Sequence, residues 1–184
     1  MRVHLFTELD LVPEMDAGTF RQWLEDRGRS AMGYAEGGID GLWSTRDQPT
    51  GTRLLLLTRW PDEAAAGAAV ELLKASTLVV AVRGTPLHGI PQDGTPLRDC
   101  LDWAAVDRFV HLQLPATTLP AFLAALQQGR TDATRAFLAP GPDATTRSLL
   151  LAGPEDVALP IDARIIDLFQ AQPLAGSWNA ASAA

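Results

Sequence analysis

The sequence predicts an α+β fold made of two tandem β-α-β-β-α-β units, and three observations carry that expectation. Short segments with period-two apolar alternation are separated by segments of helical periodicity. The same order of elements begins again after a connector rich in Gly, Pro and Asp. A chain of 184 residues, 47% of them apolar, suffices for one compact core or two small ones packed together.

Residues 3–9 place Val3, Leu5, Thr7 and Leu9 on one side and His4, Phe6 and Glu8 on the other, the pattern of a strand. After Pro13, Asp16 is a helix N-cap, and Phe20, Trp23 and Leu24 recur at helical spacing, so a first helix ends within residues 28–33. Gly37 and Gly38 precede a second strand over 39–45, and Pro49-Thr50-Gly51 turns the chain into a third over 53–60. Pro61, Asp62 and Glu63 suit the first turn of an Ala-rich helix that reaches Lys74. Residues 78–82 complete the unit as a strand, giving the split βαβ, or ferredoxin-like, order.

Residues 86–104 read as a connector between a first repeat, 1–85, and a second, degenerate one, 105–184. In the second, 109–114 is a strand whose Val110-His111-Leu112 repeats Val3-His4-Leu5. Thr118 caps a helix through Phe122, Leu123 and Leu126 that Gly129 stops. A short strand over 135–138 and a turn at 140–143 lead into Thr146-Arg147-Ser148-Leu149-Leu150-Leu151, which matches Thr52-Arg53-Leu54-Leu55-Leu56-Leu57 at five of six places. Pro154-Glu155-Asp156 echoes Pro61-Asp62-Glu63, and Ile161, Ile165, Leu168 and Phe169 then form a helical stripe. One chain would thus supply both halves of what two subunits build elsewhere, as a pseudo-dimeric monomer or as part of a homodimer.

Charge and composition exclude several classes. A formal charge of −7 without a dense Lys/Arg patch argues against a nucleic-acid partner. Lys74 is the only lysine and sits in a helical stretch, which disfavours a Schiff base. Cys100 stands alone, so neither an intramolecular disulfide nor a cysteine metal site is expected. No His/Asp/Glu cluster at ligand spacing points to a metal, and no glycine-rich phosphate loop points to a nucleotide. The N-terminus turns acidic where a signal peptide needs its apolar run, and no stretch of 18 apolar residues occurs. No membrane contact and a cytoplasmic location are the expectation.

Gly38-Ile39-Asp40-Gly41-Leu42-Trp43-Ser44, Gly51-Thr52-Arg53-Leu54 and Arg59-Trp60-Pro61-Asp62-Glu63-Ala64 together resemble the antibiotic biosynthesis monooxygenase family of dimeric α+β barrels. The resemblance implies a ferredoxin-like unit paired through its sheet into a barrel, with a pocket between sheet and helices. It also implies a tailoring enzyme for a polycyclic phenolic intermediate, most simply an aromatic polyketide, that works as a monooxygenase without flavin, metal or haem. The alternatives are a cyclase or isomerase relying on acid–base catalysis, and a non-catalytic binding or accessory protein. In the cofactor-free branch an Asn stands four residues before the strand-end Trp and a Tyr six after it. Here Trp60 matches, while those positions are Leu56 and Ala66; a His that other branches place eight residues after the Trp is Ala68 here.

The candidates for chemistry are therefore few. His4 and His111, at matching places on their strands, suit a general base, since an unperturbed imidazole titrates near pH 6.5. Trp43 and Trp60 offer flat faces to an aromatic ligand. Tyr34 can donate a hydrogen bond to a substrate oxygen, and Arg53 and Arg59, on one face of the third strand, can stabilise an enolate or phenolate. His88 and Cys100 share the connector without any local nucleophile signature.

Overall fold

A computed structural model describes residues 3–28, 38–46, 53–89, 103–128, 135–153 and 157–174. The elements are β1 (Val3–Leu11), α1 (Ala17–Trp23) running into a π-helical turn (Leu24–Gly28), β2 (Gly38–Thr45), β3 (Arg53–Trp60), α2 (Glu63–Lys74) and β4 (Val79–Gly89). After a 3₁₀ turn (Trp103–Ala105) come β5 (Arg108–Pro115), α3 (Leu119–Gln128), β6 (Arg135–Ala139), β7 (Thr146–Gly153) and β8 (Arg164–Pro173).

Local chemistry accounts for the helix starts. Asp16 accepts the Thr19 amide at 2.8 Å, and Asp62 accepts the Ala65 amide at 2.8 Å, so each aspartate satisfies an orphan donor of the first turn. Glu63 at the start of α2 and Lys74 at its end complement the helix dipole. Ala66, Ala69 and Leu73 form the buried face of α2. A side chain at Gly84 would bring its Cβ within 2.5 Å of Val70, so the missing side chain lets α2 lie close against β4. Thr118 directs its hydroxyl to Asp162 at 2.6 Å, tying the start of α3 to the segment before β8.

All eight strands pair antiparallel in the order β1-β3-β2-β8-β5-β7-β6-β4, and β4 pairs back onto β1, closing a barrel. Alternation along the strands then sorts side chains into three apolar layers. One lies between the first sheet half and its helices, with Leu5, Leu9, Phe20, Leu24, Leu54, Leu56 and Trp60. A second lies under α3, with Leu112, Leu114, Phe122, Leu149 and Leu151. The third is the barrel interior, where Phe6, Trp43, Leu55, Leu57, Leu87, Phe109, Phe137, Leu150 and Phe169 converge from all eight strands with Ala152 and Ala171. Each fully buried side chain of this size contributes about 1.5–3 kcal/mol, so the layer shared by both halves is a large part of what holds them together.

Three expectations are corrected. Ile161, Ile165, Leu168 and Phe169 are not a helical stripe: the last three belong to β8, where Phe169 is buried, Leu168 is 49% exposed, and Ile161 lies fully exposed before the strand. β5 needs a second neighbour for its open backbone edge, and β8 supplies it, pairing Phe169 with Phe109. The second half thus reads β-α-β-β-β among the described residues, with Val157, Leu159 and Ala163 packing against the layer under α3. The six-residue match between β3 and β7 is out of phase with the pleat. Leu55 and Leu57 face the interior, whereas their counterparts Leu149 and Leu151 face outward. Finally, β4 does not stop at Val82 but runs on through residue 85 to Gly89, pairing there with Phe137 of β6.

Candidate functional site

The interior layer is not filled to the end. Where the barrel opens, a small cavity of about 10 Å³ is walled by Phe6, Leu87, Leu150 and Phe169 and carries three polar side chains, Glu8, Thr85 and His111. Six strands contribute to it: β1 supplies Phe6 and Glu8, β4 Thr85 and Leu87, β5 His111, β6 Ala139, β7 Leu150 and β8 Phe169. Phe6 packs against the rings of Phe109 and Phe169, with centroids 5.2 and 5.9 Å away, which fixes the apolar floor.

Charged groups cross the mouth in a chain. His111 Nδ1 faces Asp167 Oδ2 at 3.9 Å, Arg83 reaches that same carboxylate oxygen at 3.7 Å, and Arg83 Nε lies 3.5 Å from Glu8. Beside them Arg53 grips Asp10 through two hydrogen bonds of 2.8 and 3.2 Å. Burial pushes the His111 pKa below the ordinary imidazole value, with Asp167 opposing and Arg83 reinforcing the shift. Burial likewise raises the Glu8 pKa from its ordinary value, against the pull of Arg83 and Arg53. With its proton on Nδ1 toward Asp167, His111 presents the lone pair of Nε2, which is buried and without a hydrogen-bond partner among the described residues. The cavity therefore sets an imidazole whose pKa burial lowers across from a carboxyl whose pKa burial raises.

The deeper end of the barrel is built differently. Asp40, 4% exposed, takes Arg59 at 2.7 Å and lies 3.5 Å from His4 Nε2, while the His4 ring rests on Phe137 at 5.1 Å. Phe137 in turn stacks on Trp103, which edges onto Trp43, so aromatic side chains plug this end. Asp40 reaches the interior because β2 changes register against β3 between Ile39 and Gly41. A Cβ on Gly41 would come within 2.3 Å of the Trp43 indole, so glycine is what lets the ring lie flat along its own strand.

The structure separates several residues that the sequence grouped. His4 and His111 both face inward, yet His4 belongs to the plugged end and only His111 lines the cavity. Trp43 is inside the barrel, its indole N–H donating to Val106 at 2.9 Å, whereas Trp60 faces the helix layer and donates to Thr58 at 2.7 Å. They lie on opposite faces of the sheet and cannot frame one ligand. Arg53 and Arg59 share the inward face of β3 but serve opposite ends, engaged by Asp10 and Asp40. Tyr34 and Cys100 lie outside the described residues; His88 points outward to Glu63 at 2.9 Å. Glu8, Arg83 and Asp167 belong to the cavity and its mouth and were passed over in the sequence reading. Glu8 was signalled by its alternation with His4 and Phe6 on one strand face.

No protein-family model matches this chain, and no curated protein matches it significantly. Among solved structures it is similar to a heme-binding protein from Thermus thermophilus, with a TM-score of 0.56 and 13% identity over 97% of this chain and 94% of that one. It is also similar to a candidate monooxygenase from Lactobacillus acidophilus NCFM, with a TM-score of 0.51 and 11% identity over 94% and 93% of the two chains. At such identities the likeness is one of fold, and the shared fold is of the ferredoxin-like α+β type.

Proposed function

We propose that this chain is an enzyme whose chemistry begins when His111 removes a proton from a small phenolic or enolic ligand at the mouth of the barrel cavity. The observation that carries this reading is the presence, on opposite sides of one cavity, of an imidazole nitrogen without a hydrogen-bond partner among the described residues and a partly buried carboxyl, with pKa values pushed toward each other. His111 Nε2 takes the proton of an O–H or an activated C–H, and the charge left on the ligand is delocalised over its ring. Glu8, once it carries a proton, returns it at another atom, which isomerises the ligand or completes a ring closure. This cyclase or isomerase course uses both groups and is the one the geometry favours.

The monooxygenase-like course shares the first step. There the anion reduces O₂, one oxygen atom replaces two hydrogens of a ring CH₂ as a carbonyl, and the other leaves as water, so the ligand supplies all the electrons. The likeness of fold to a candidate monooxygenase supports keeping this course as the second reading. The natural-product tailoring role is part of this proposal; the enclosed part of the cavity, about 10 Å³, has room for about one water, so in this reading the ligand sits at the mouth and turns only its acidic atom inward. The tandem-repeat origin belongs to the same proposal; the ring of strands supports it, because the pairing of β2 with β8 has its counterpart in that of β6 with β4.

A haem is suggested by one structural neighbour, and the cavity described above does not fit it. The cavity falls below the roughly 300–1,000 Å³ of ordinary cofactor and ligand pockets. The layers flanking the sheet are packed with aliphatic side chains.

The test follows deuterium exchange of the acidic C–H bonds of 2-tetralone in D₂O under nitrogen, and O₂ uptake with 1-naphthol in air. Exchange that falls about 100-fold or more in His111→Gln is the expected outcome. Oxygen uptake dependent on His111 would shift the reading to the monooxygenase-like course, and tight binding of both probes without exchange or uptake would leave only a binding protein.

A further inference from the structure

The apolar walls of the cavity are closed. Phe6, Leu87, Leu150 and Phe169 are all buried, and the space they leave, about 10 Å³, matches the roughly 10–15 Å³ that one water requires. A buried water also needs about two to four polar partners, and three polar side chains line this space. His111 on β5 offers Nε2, buried and without a hydrogen-bond partner among the described residues, Thr85 on β4 offers a hydroxyl, and Glu8 on β1, across the barrel from β5, offers a carboxyl. Water suits this set because it both donates and accepts. It donates to Nε2, pairs with the Thr85 hydroxyl, and meets the Glu8 carboxyl whether that group carries a proton or not.

The burial of Nε2 has a second consequence. A ligand at the mouth does not reach that atom, whereas a general base also acts through one intervening water. We infer that this cavity binds a single water and, on the base reading given above, that this water is the relay through which His111 takes the ligand's proton. The ligand's O–H or C–H bond breaks and its electron pair stays on the ligand. The water oxygen takes that proton while one of its own O–H bonds breaks and the second proton passes to Nε2. Water is thus restored, the ligand is left as an anion, and the imidazolium that forms faces Asp167 through Nδ1, 3.9 Å away. No oxidant or other reactant is consumed.

Water binding is counted by oxygen-17 magnetic relaxation dispersion, which registers waters held longer than the protein takes to tumble. Wild type is compared with Ala139→Val, whose added methyl groups fill the cavity, with His111→Leu, which removes the acceptor, and with Thr85→Val, which removes the hydroxyl at nearly constant volume. Wild type should hold one more such water than Ala139→Val or His111→Leu, and Thr85→Val should shorten its residence. Equal counts in wild type and in whichever of the two variants keep a native circular dichroism spectrum would overturn the site. The relay is read from deuterium exchange of 2-tetralone. Ala139→Val, with its imidazole intact, should exchange at least about tenfold more slowly than wild type. An unchanged rate in a variant that has lost the water would overturn the relay and leave His111 as a base in direct contact with the ligand. A counted water without exchange by wild type would instead remove the base, and the relay with it, while the water site stands.

Discussion

At the scale of single residues, His111 and Asp167 make a prediction whose sign is fixed by burial. Because the folded protein lowers the His111 pKa, the neutral imidazole is the form that the fold favours. The stability tied to that neutral form is present above the ordinary imidazole value near 6.5 and is lost as pH falls through the lower, folded value. Between about pH 7.5 and 5 the urea midpoint of wild type should therefore fall relative to that of His111→Gln, and parallel midpoints would contradict the shift. Asp167→Asn removes the charge that raises the His111 pKa, so in that variant the loss should begin near the same pH, which the unfolded chain sets, and run on to lower pH, and the acid limb of any His111-dependent rate should move to lower pH. A limb that moved to higher pH would show that Asp167 does not face the imidazole in solution.

At the scale of elements, the strand β8 decides how the second half is built. In β8 neighbouring side chains point to opposite faces, so Leu168 is half exposed while Phe169 joins the barrel interior. Phe169→Ala should cost about 3–5 kcal/mol in denaturant unfolding, and Leu168→Gln no more than about 0.5 kcal/mol; comparable costs would restore a helical stripe. The first half was legible because its signals are local: Asp16 and Asp62 cap helices by contacts three residues away, and β1 alternates cleanly. The inward places of His4, Glu8 and His111 were legible in that same alternation. β8 was not, because Ile161, Ile165, Leu168 and Phe169 satisfy a helical period as well as a strand, and what selects the strand is the demand of β5 for a partner. Misreading β8 hid Asp167, and stopping β4 at Val82 hid Arg83, so the cavity's charged mouth was invisible although its base was not. Trp43 and Trp60 were paired by sequence proximity, whereas the alternation Leu55, Leu57, Arg59 toward the interior already places Trp60 on the other face.

At the scale of the whole molecule, the barrel interior belongs to neither half alone. Phe6, Trp43, Leu55, Leu57 and Leu87 come from the first four strands, and they are buried against Phe109, Phe137, Leu150 and Phe169 from the last four. Among the described residues the seams that close the ring are short: β2 meets β8 over Trp43–Thr45, and β4 meets β6 at His88 and Gly89. Backbone pairing at the seams is thus a minor part of the joint, and shared apolar burial is the major part. It follows that residues 1–89, expressed alone, would present five large apolar side chains and two open strand edges to water, a surface that a unit of that size does not sustain as a monomer. A second copy offers the matching surface, its β4 taking the place of β8 beside β2. The fragment should therefore run as a concentration-dependent dimer in light scattering, while the full chain unfolds in one cooperative urea transition. A fragment that stayed monomeric with its own sharp transition would mean that the outer layer beneath α1 and α2 suffices to hold the half together, and that the shared interior contributes little to the fold.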